Sequence, residues 1–475
     1  MSATVGDYDT RLSARERKRT GAWYTPQALV QHVVRETVAP ITPGSVVRVL
    51  DPACGDGRFL FEASRVIRAA GGRPELTGVD IDLRGLRSSE GSEQVEAIEA
   101  DALGYAWGSR RFDVVVGNPP FLSQMASATA RIGRSAFGGG PYADAAADFL
   151  GLALQLARPK GGRVGLVLPV SLLTARDAGP VRAEAMRAAA LHWFWSSREH
   201  VFDAMVRVCA IGFEVGGAAS LVQRTSGIAF DVLAPACVSE STENDHWGWL
   251  IADSIGVPAV PSVTACGTVT DHALVTANFR DQYYGLVGAV GDHPEGPPLI
   301  TTGLIDVGVC YWSTRPTRFA KQRFEAPRVD RAQLAPFMQR WADRCLVPKV
   351  LVATQTHILE AVADPEGTWL PAVPVIRVVP NDPTAVWSVA AVLTSPVASA
   401  LIAEQSVGSG LSATTVRVSQ RTLGALAWPA GDLDDAITAL RDGDIGACGR
   451  AVDVAYGVHD DVLFDWWHRA VLRRS

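Results

Sequence analysis

The stretch from Val46 to Ile67 constrains the fold most. Val46 to Leu50 is a short β-branched run, Asp51-Pro52-Ala53-Cys54-Gly55-Asp56-Gly57 follows, and Phe59, Leu60, Ala63, Val66 and Ile67 then recur at helical spacing. Strand, glycine turn and helix in that order build a nucleotide site. Glycines allow unusual φ and close approach, and the helix N-terminus offers unsatisfied amides. The spacing is not that of a dinucleotide fingerprint, no lysine follows the turn, and Asp51 and Asp56 repel a pyrophosphate. A ligand with an ammonium, neutral hydroxyls and no phosphate fits better, and S-adenosylmethionine has that chemistry.

The pattern continues on both sides of this unit. Gln27 to Val38 places Leu29, Val30, Val33, Val34 and Val38 on one helical face. A second strand, Leu76 to Val79, ends in Asp80, where an acid accepts ribose hydroxyls or else caps a turn. Ala97 to Asp101 reads as a third strand, with Asp101 placed to accept from an adenine amino group. Asp56 and Asp82 are weaker candidates, since Asp in a turn needs no ligand to explain it. Phe112 to Val116 reads as a fourth strand, Ala143 to Leu156 as a helix, and Val164 to Leu168 and Arg207 to Val215 as later strands. Alternating strands and helices imply a mostly parallel sheet with ligands at the carboxyl ends of the strands.

Asn118-Pro119-Pro120-Phe121 leaves the fourth strand at that edge. The prolines fix φ near −65°, disfavour helix before them and donate no hydrogen bond. The Asn118 side-chain oxygen and the Pro119 carbonyl are therefore acceptors for an exocyclic NH2, with Phe121 able to stack on its ring for about 1–3 kcal/mol. By itself the tetrapeptide is equally a tight turn.

At 475 residues, 48% hydrophobic and 20% charged, the chain fits a globular protein of two or three domains. No secretion signal is visible, the apolar runs are too short to span a bilayer, and seven scattered cysteines suit a reducing compartment without a zinc site. A cytoplasmic protein with no metal and no membrane partner is expected. The net charge of −6 does not advertise a nucleic-acid binder. Two local basic clusters, Arg11, Arg15, Arg17, Lys18 and Arg19, and then Arg315, Arg318, Lys321, Arg323, Arg328 and Arg331 diluted by Glu325 and Asp330, are compatible with a phosphate-lined cleft. Each taken alone reads as an ordinary solvated surface.

With these residues in place, the chain resembles the N6-adenine DNA methyltransferases, in which a class I, Rossmann-like α/β catalytic domain precedes an α+β target-recognition domain. Thr20-Gly21-Ala22-Trp23-Tyr24-Thr25-Pro26 resembles the family's amino-terminal cofactor motif, Asp51 to Gly57 its glycine motif, Gly78-Val79-Asp80 its ribose-binding acid, and Asn118 to Phe121 its catalytic motif. The resemblance implies cofactor contacts at Trp23, Tyr24, Thr25 and Pro26, at Asp51, Ala53, Cys54, Gly55, Gly57 and Phe59, at Asp80, Ile81, Asp101 and Ala102, and at Asn118. It also implies catalytic roles for Asn118, Pro119, Pro120 and Phe121, and a second aromatic, Phe202, packing a flipped base from its other side. Cys54 reads as a small buried side chain in the loop, not a nucleophile.

Residues 1–245 are expected to be the catalytic domain, 246–430 the target-recognition domain and 431–475 a helical segment. Beyond Trp247 the alternation fades into proline-punctuated segments, with strands expected at Leu299 to Asp306 and Lys349 to Thr356. Arg315, Arg318, Lys321 and Arg323 are expected to contact phosphates. Gln355 and Thr356 either read bases or finish a buried strand. The expected partner is double-stranded DNA, with a separately encoded nuclease or defence component beside it. No carboxylate and Glu-x-Lys constellation marks a nuclease within the chain. The alternatives are a catalytically degenerate DNA-binding or scaffold protein, and a methyltransferase acting on RNA or protein glutamine.

Overall fold

The structure is a computed structural model that describes residues 25–88, 93–121, 137–140, 143–197, 199, 201, 207–218, 221–238, 246–406 and 416–473. The chain divides into two compact units, Met1–Leu250 and Ile251–Ser475. The second unit includes the helices after residue 431, so they are part of its body.

The first unit is built on a sheet whose members are β1 Val46–Asp51, β2 Arg73–Asp80, β3 Val95–Glu99, β4 Val114–Gly117, β5 Arg163–Pro169, β6 Ala189–Ser196, β7 Val208–Val215, β8 Leu221–Ser226 and β9 Asp231–Cys237. Their order is β3-β2-β1-β4-β5-β7-β6-β8-β9. The first five run parallel, and β7 is antiparallel to both β5 and β6. The expected mostly parallel α/β sheet is present. The central strands are continuous apolar runs because both faces are covered: every residue of β4 is buried.

Helices α1 Gln27–Thr37 and α2 Arg58–Ala69 cover one face. Val30, Val33 and Val34 of α1 and Leu60, Ala63 and Ile67 of α2 join Val49, Val114 and Val116 in one core cluster. Helix α3 Arg84–Ser88 follows β2. Helix α4 Ala145–Leu156, capped by Asp144 accepting from the Ala146 amide, packs against β5 and against α5 Gly179–Ala188. The crossovers put Asp51, Asp80 and Asn118 at the carboxyl ends of three adjacent parallel strands.

Some expected bounds shift. The third strand is Val95–Glu99, so Asp101 lies two residues beyond its end. The fourth begins at Val114, and Phe112 makes only an isolated bridge to Ala157.

In the second unit a four-stranded sheet combines Ala273–Ala277, Ile376–Pro380, Lys349–Val352 and Ala361–Asp364, with antiparallel pairing throughout. Helices Val386–Leu393 and Pro396–Ser406 are apolar on nearly all sides because they form this unit's core, with Leu440, Val452 and Leu463 from the last three helices packed into the same cluster. The segment Leu299 to Asp306 is not one strand: Leu299–Ile300 pairs with Leu370–Pro371, and Thr302–Leu304 turns as a 3-10 helix. Lys349 to Thr356 likewise divides into Lys349–Val352 and Gln355–Thr356.

Candidate active site

The glycine loop between β1 and α2 is held from below by the acid that ends β2. Gly55 N–H donates to Asp80 Oδ2 at 2.8 Å, and Asp82 N–H to Asp80 Oδ1 at 3.1 Å. Cys54 N–H reaches the Val79 carbonyl at 2.9 Å, and Gly57 N–H closes the turn on the Cys54 carbonyl at 2.7 Å. Gly57 has φ of 81°, and a Cβ there would meet Leu86 Cδ1 at 2.6 Å, so the turn demands glycine twice over. Cys54 is buried, and burial pushes its thiol far above the ordinary range. It fills space beside Gly78, whose missing Cβ would lie 3.0 Å from Cys54 Sγ.

Two carboxyl groups define the charge of the site. Asp51 is 1% exposed; its Oδ1 accepts from Ala53 N–H at 3.0 Å, and its Oδ2 has no hydrogen-bond partner among the described residues. Burial, with Asp80 and Asp56 adding, raises its carboxyl well above the usual carboxylate range against the pull of the Ala53 amide. Burial likewise raises Asp80, opposed by the amides of Gly55 and Asp82. A buried carboxylate oxygen without a partner costs stability until a donor arrives, and a cationic donor relieves it best. S-adenosylmethionine fits this donor set: its ammonium suits Asp51, its ribose hydroxyls suit the remaining lone pairs of Asp80, and it carries no phosphate for these acids to repel.

Asp56 plays a different part. It is buried and forms an ion pair with Arg58 at 2.6 Å, and the Arg58 guanidinium also donates to the Thr25 carbonyl. Asp82 pairs with Arg84 at 2.6 Å, which holds its carboxyl below the usual range.

The other expected contacts divide. Thr25 is buried, and Pro26 precedes α1 and accepts from Leu29 and Val30 amides at 3.0 and 3.1 Å. Phe59 is buried in the core cluster, Ile81 is 64% exposed, Ala102 is buried, and Asp101 is exposed with its Oδ1 accepting from Leu103 N–H at 3.0 Å. Trp23, Tyr24 and Phe202 lie outside the described residues, as does the basic cluster at Arg11 to Arg19.

Asn118 to Phe121 follow β4 directly. Pro119 is buried, Asn118 and Pro120 are half-buried, and Phe121 packs one side on the core cluster that includes α1 and α2. The residue before the motif touches the cofactor loop: a Cβ on Gly117 would lie 2.5 Å from Asp51 Oδ1. Gly117 and Arg58 are the site residues that sequence reasoning missed. An arginine at the first position of a helix, where the dipole disfavours a cation, was the available signal for Arg58.

In the second unit, Thr317–Phe319 and Gln322–Phe324 form a hairpin in which Arg318 and Arg323 are direct cross-strand partners. Both are exposed, and like charges directly opposite repel. Its two turn residues, Ala320 and Lys321, have φ of 48° and 67°, a conformation usually left to Asn and Gly. The Arg315 guanidinium lies 3.9 Å from the centre of the Tyr311 ring, and Arg323 meets Glu325 at 3.4 Å on the surface. Gln355 is exposed and paired in register with Arg417. Thr356 is buried, and its hydroxyl donates to the Ile358 carbonyl at 2.5 Å, so it finishes a strand and faces no solvent from which to read a base.

Residues 10–209 match the family model of the N-6 DNA methylase. A curated relative, the modification methylase CviBIII of Paramecium bursaria Chlorella virus NC1A, is 27% identical over 120 residues, covering 24% of this chain and 30% of that protein. The chain thus matches about a third of that relative's length. Among solved structures, the Type IIL restriction-modification enzyme MmeI in complex with DNA is similar over 98% of this chain and 81% of that one, with TM-score 0.54 and 12% identity, a likeness of fold. The type I restriction-modification system methyltransferase subunit from Streptococcus thermophilus matches 43% of this chain and 47% of that one at 19% identity and TM-score 0.36.

Proposed function

Through residues 10–209 the chain belongs to the N-6 DNA methylase family, with its class I S-adenosylmethionine-dependent fold, and we propose that it methylates adenine N6 in double-stranded DNA at specific sites. The observation that carries this reading is the junction of the Asn118 motif with the acidic cofactor loop through Gly117 and Asp51.

S-adenosylmethionine, when bound, supplies a methyl group on a positively charged sulfur. Asp51 and Asp80 hold and orient it, and the glycine loop lets the backbone approach. Adenine reaches such a site only when swung out of the duplex, at a cost of a few kcal/mol. Stacking on Phe121, and on Phe202 from the other side, offsets part of that cost. The Asn118 side-chain oxygen and the Pro119 carbonyl accept the two N6 hydrogens, draw the nitrogen toward sp3 geometry and leave its lone pair free. Pro120 keeps the strand exit rigid. No covalent enzyme intermediate is needed, and positioning with preoriented dipoles provides most of the acceleration.

The second unit supplies target recognition. Arg315, Arg318, Lys321 and Arg323 contact phosphates, and exposed Gln355 is the better candidate base reader of its pair. The setting is restriction-modification or phage defence in the cytoplasm, with a nuclease or other defence component encoded separately.

The test is transfer of labelled methyl groups from S-adenosylmethionine to DNA by the purified chain, with the product base identified. Asn118→Ala is expected to abolish transfer while cofactor binding persists. Full activity in that variant would sink the catalytic assignment, transfer only to RNA or protein would favour another substrate, and cofactor binding without any transfer would leave a DNA-binding protein.

A further inference from the structure

Arg58 occupies the first position of α2, where the helix dipole disfavours a cation. Its guanidinium nevertheless points into the protein, only 16% exposed, gripped by both carboxylate oxygens of Asp56 at 2.6 to 3.1 Å. The grip is fixed in direction, because Asp56 and Arg58 flank Gly57, whose left-handed φ and crowded Cβ position allow one turn geometry. A further N–H of Arg58 donates to the carbonyl of Thr25, 33 residues earlier. Thr25 is 2% exposed and leads into Pro26, which caps no amide with its side chain and begins α1.

We propose that Arg58 is a positioning residue that fastens Thr25 to the glycine loop, so that these two parts of the cofactor site are held together. This rests on the methyltransferase reading. Asp56 has two effects through this clasp. It orients the guanidinium and is occupied by it, so that Asp51 is left to face the ligand's ammonium and Asp80 its ribose hydroxyls. The turn acid of the glycine loop is thus the anchor of the clasp.

The experiment measures binding of S-adenosylmethionine and S-adenosylhomocysteine by calorimetry, with steady-state kinetics alongside, for the full chain and three variants. Arg58→Gln breaks the clasp but strands the buried Asp56 carboxylate, so Asp56→Asn/Arg58→Gln is the decisive variant, losing the clasp with no charge left unpaired. Its dissociation constant for both ligands, and its KM for S-adenosylmethionine, are expected to rise about tenfold, the loss of one charge-assisted hydrogen bond. Its kcat at saturating cofactor is expected to stay within about twofold, since no group on the reacting atoms has changed. Arg58→Lys keeps the charge but cannot hold Asp56 through two bonds and reach Thr25 together, and it should fall between the two. A folded double variant with unchanged affinity, a parallel loss of kcat, or a double variant that cannot fold would each overturn the positioning role. Wild-type protein that binds neither ligand would sink the methyltransferase reading and this inference with it.

Discussion

Gly117 and Asp51 fit together so closely that a Cβ on Gly117 would stand 2.5 Å from Asp51 Oδ1 and 3.1 Å from its Cγ. The last residue of β4, immediately before Asn118, thus shares space with the acid that opens the glycine loop. Gly117→Ala must push Asp51 or bend the strand end, and overpacking of this kind costs about 1–3 kcal/mol. Cofactor affinity should fall on the order of tenfold with a modest drop in melting temperature. Calorimetry with S-adenosylhomocysteine checks this. An alanine variant that binds as tightly as wild type would show that the contact is not shared with the cofactor site.

Asp51 makes a second prediction, one of proton linkage. In the ligand-free protein its carboxyl is raised by burial, so this group stabilises the fold at acid pH and loses that contribution as pH rises through its raised value. An ammonium beside Oδ2 favours the carboxylate and pulls the value back down. Binding should therefore release protons and tighten as pH rises. Calorimetry at pH 6 in two buffers of different ionisation enthalpy reads the release directly, and Asp51→Asn should abolish it while weakening binding about tenfold or more. Identical heats in the two buffers with wild type would contradict the assignment.

What was legible in the sequence was local. The glycine turn sits between an apolar β-branched run and a helix of one-sided periodicity, and each acid follows its strand by position alone, so Asp51, Asp80 and Asn118 meet at one edge once the strands are parallel. The Arg58 to Thr25 clasp joins residues far apart in sequence and was invisible, and Asp56 read as a turn acid and weaker ligand candidate because its arginine partner could not be seen. Strand Ala189–Ser196 went unread because Trp193, Phe194 and Trp195 are all buried and show no alternation. In the second unit the strands are short, several of only two residues, which leaves little periodicity to find.

The paired arginines of the hairpin carry the third prediction. Arg318 and Arg323 face each other across the strands, and Glu325 pairs with Arg323 on the surface, so two like charges share one carboxylate and a phosphate would add the second anion. The double variant Arg318→Gln/Arg323→Gln should weaken binding to all duplex sequences alike and lower the slope of log affinity against log salt by about 2. Fluorescence anisotropy over a salt series measures it. Weakening confined to one sequence would mean these arginines read bases instead.

Asp453 provides a test of the second unit that is independent of any substrate. It is 5% exposed within helix Ile445–Ala455, and its Oδ1 accepts from the Val397 amide at 3.3 Å, at the start of helix Pro396–Ser406. Burial raises its carboxyl to about 7, with Asp460 adding and the Val397 amide and Arg450 opposing. A carboxyl raised on folding contributes stability below its ordinary range, and that contribution is lost as pH climbs through about 7. By pH 8 the loss is on the order of 4 kcal/mol. Asp453→Asn carries no charge at any pH and keeps an oxygen for the Val397 amide. Urea unfolding should therefore find the gap between variant and wild type smallest at pH 4.5 and the variant more stable by the most at pH 8. A gap that stays constant with pH would mean that the carboxyl does not titrate in that window and that Arg450, 3.7 Å from the Phe464 ring centre, neutralises it throughout.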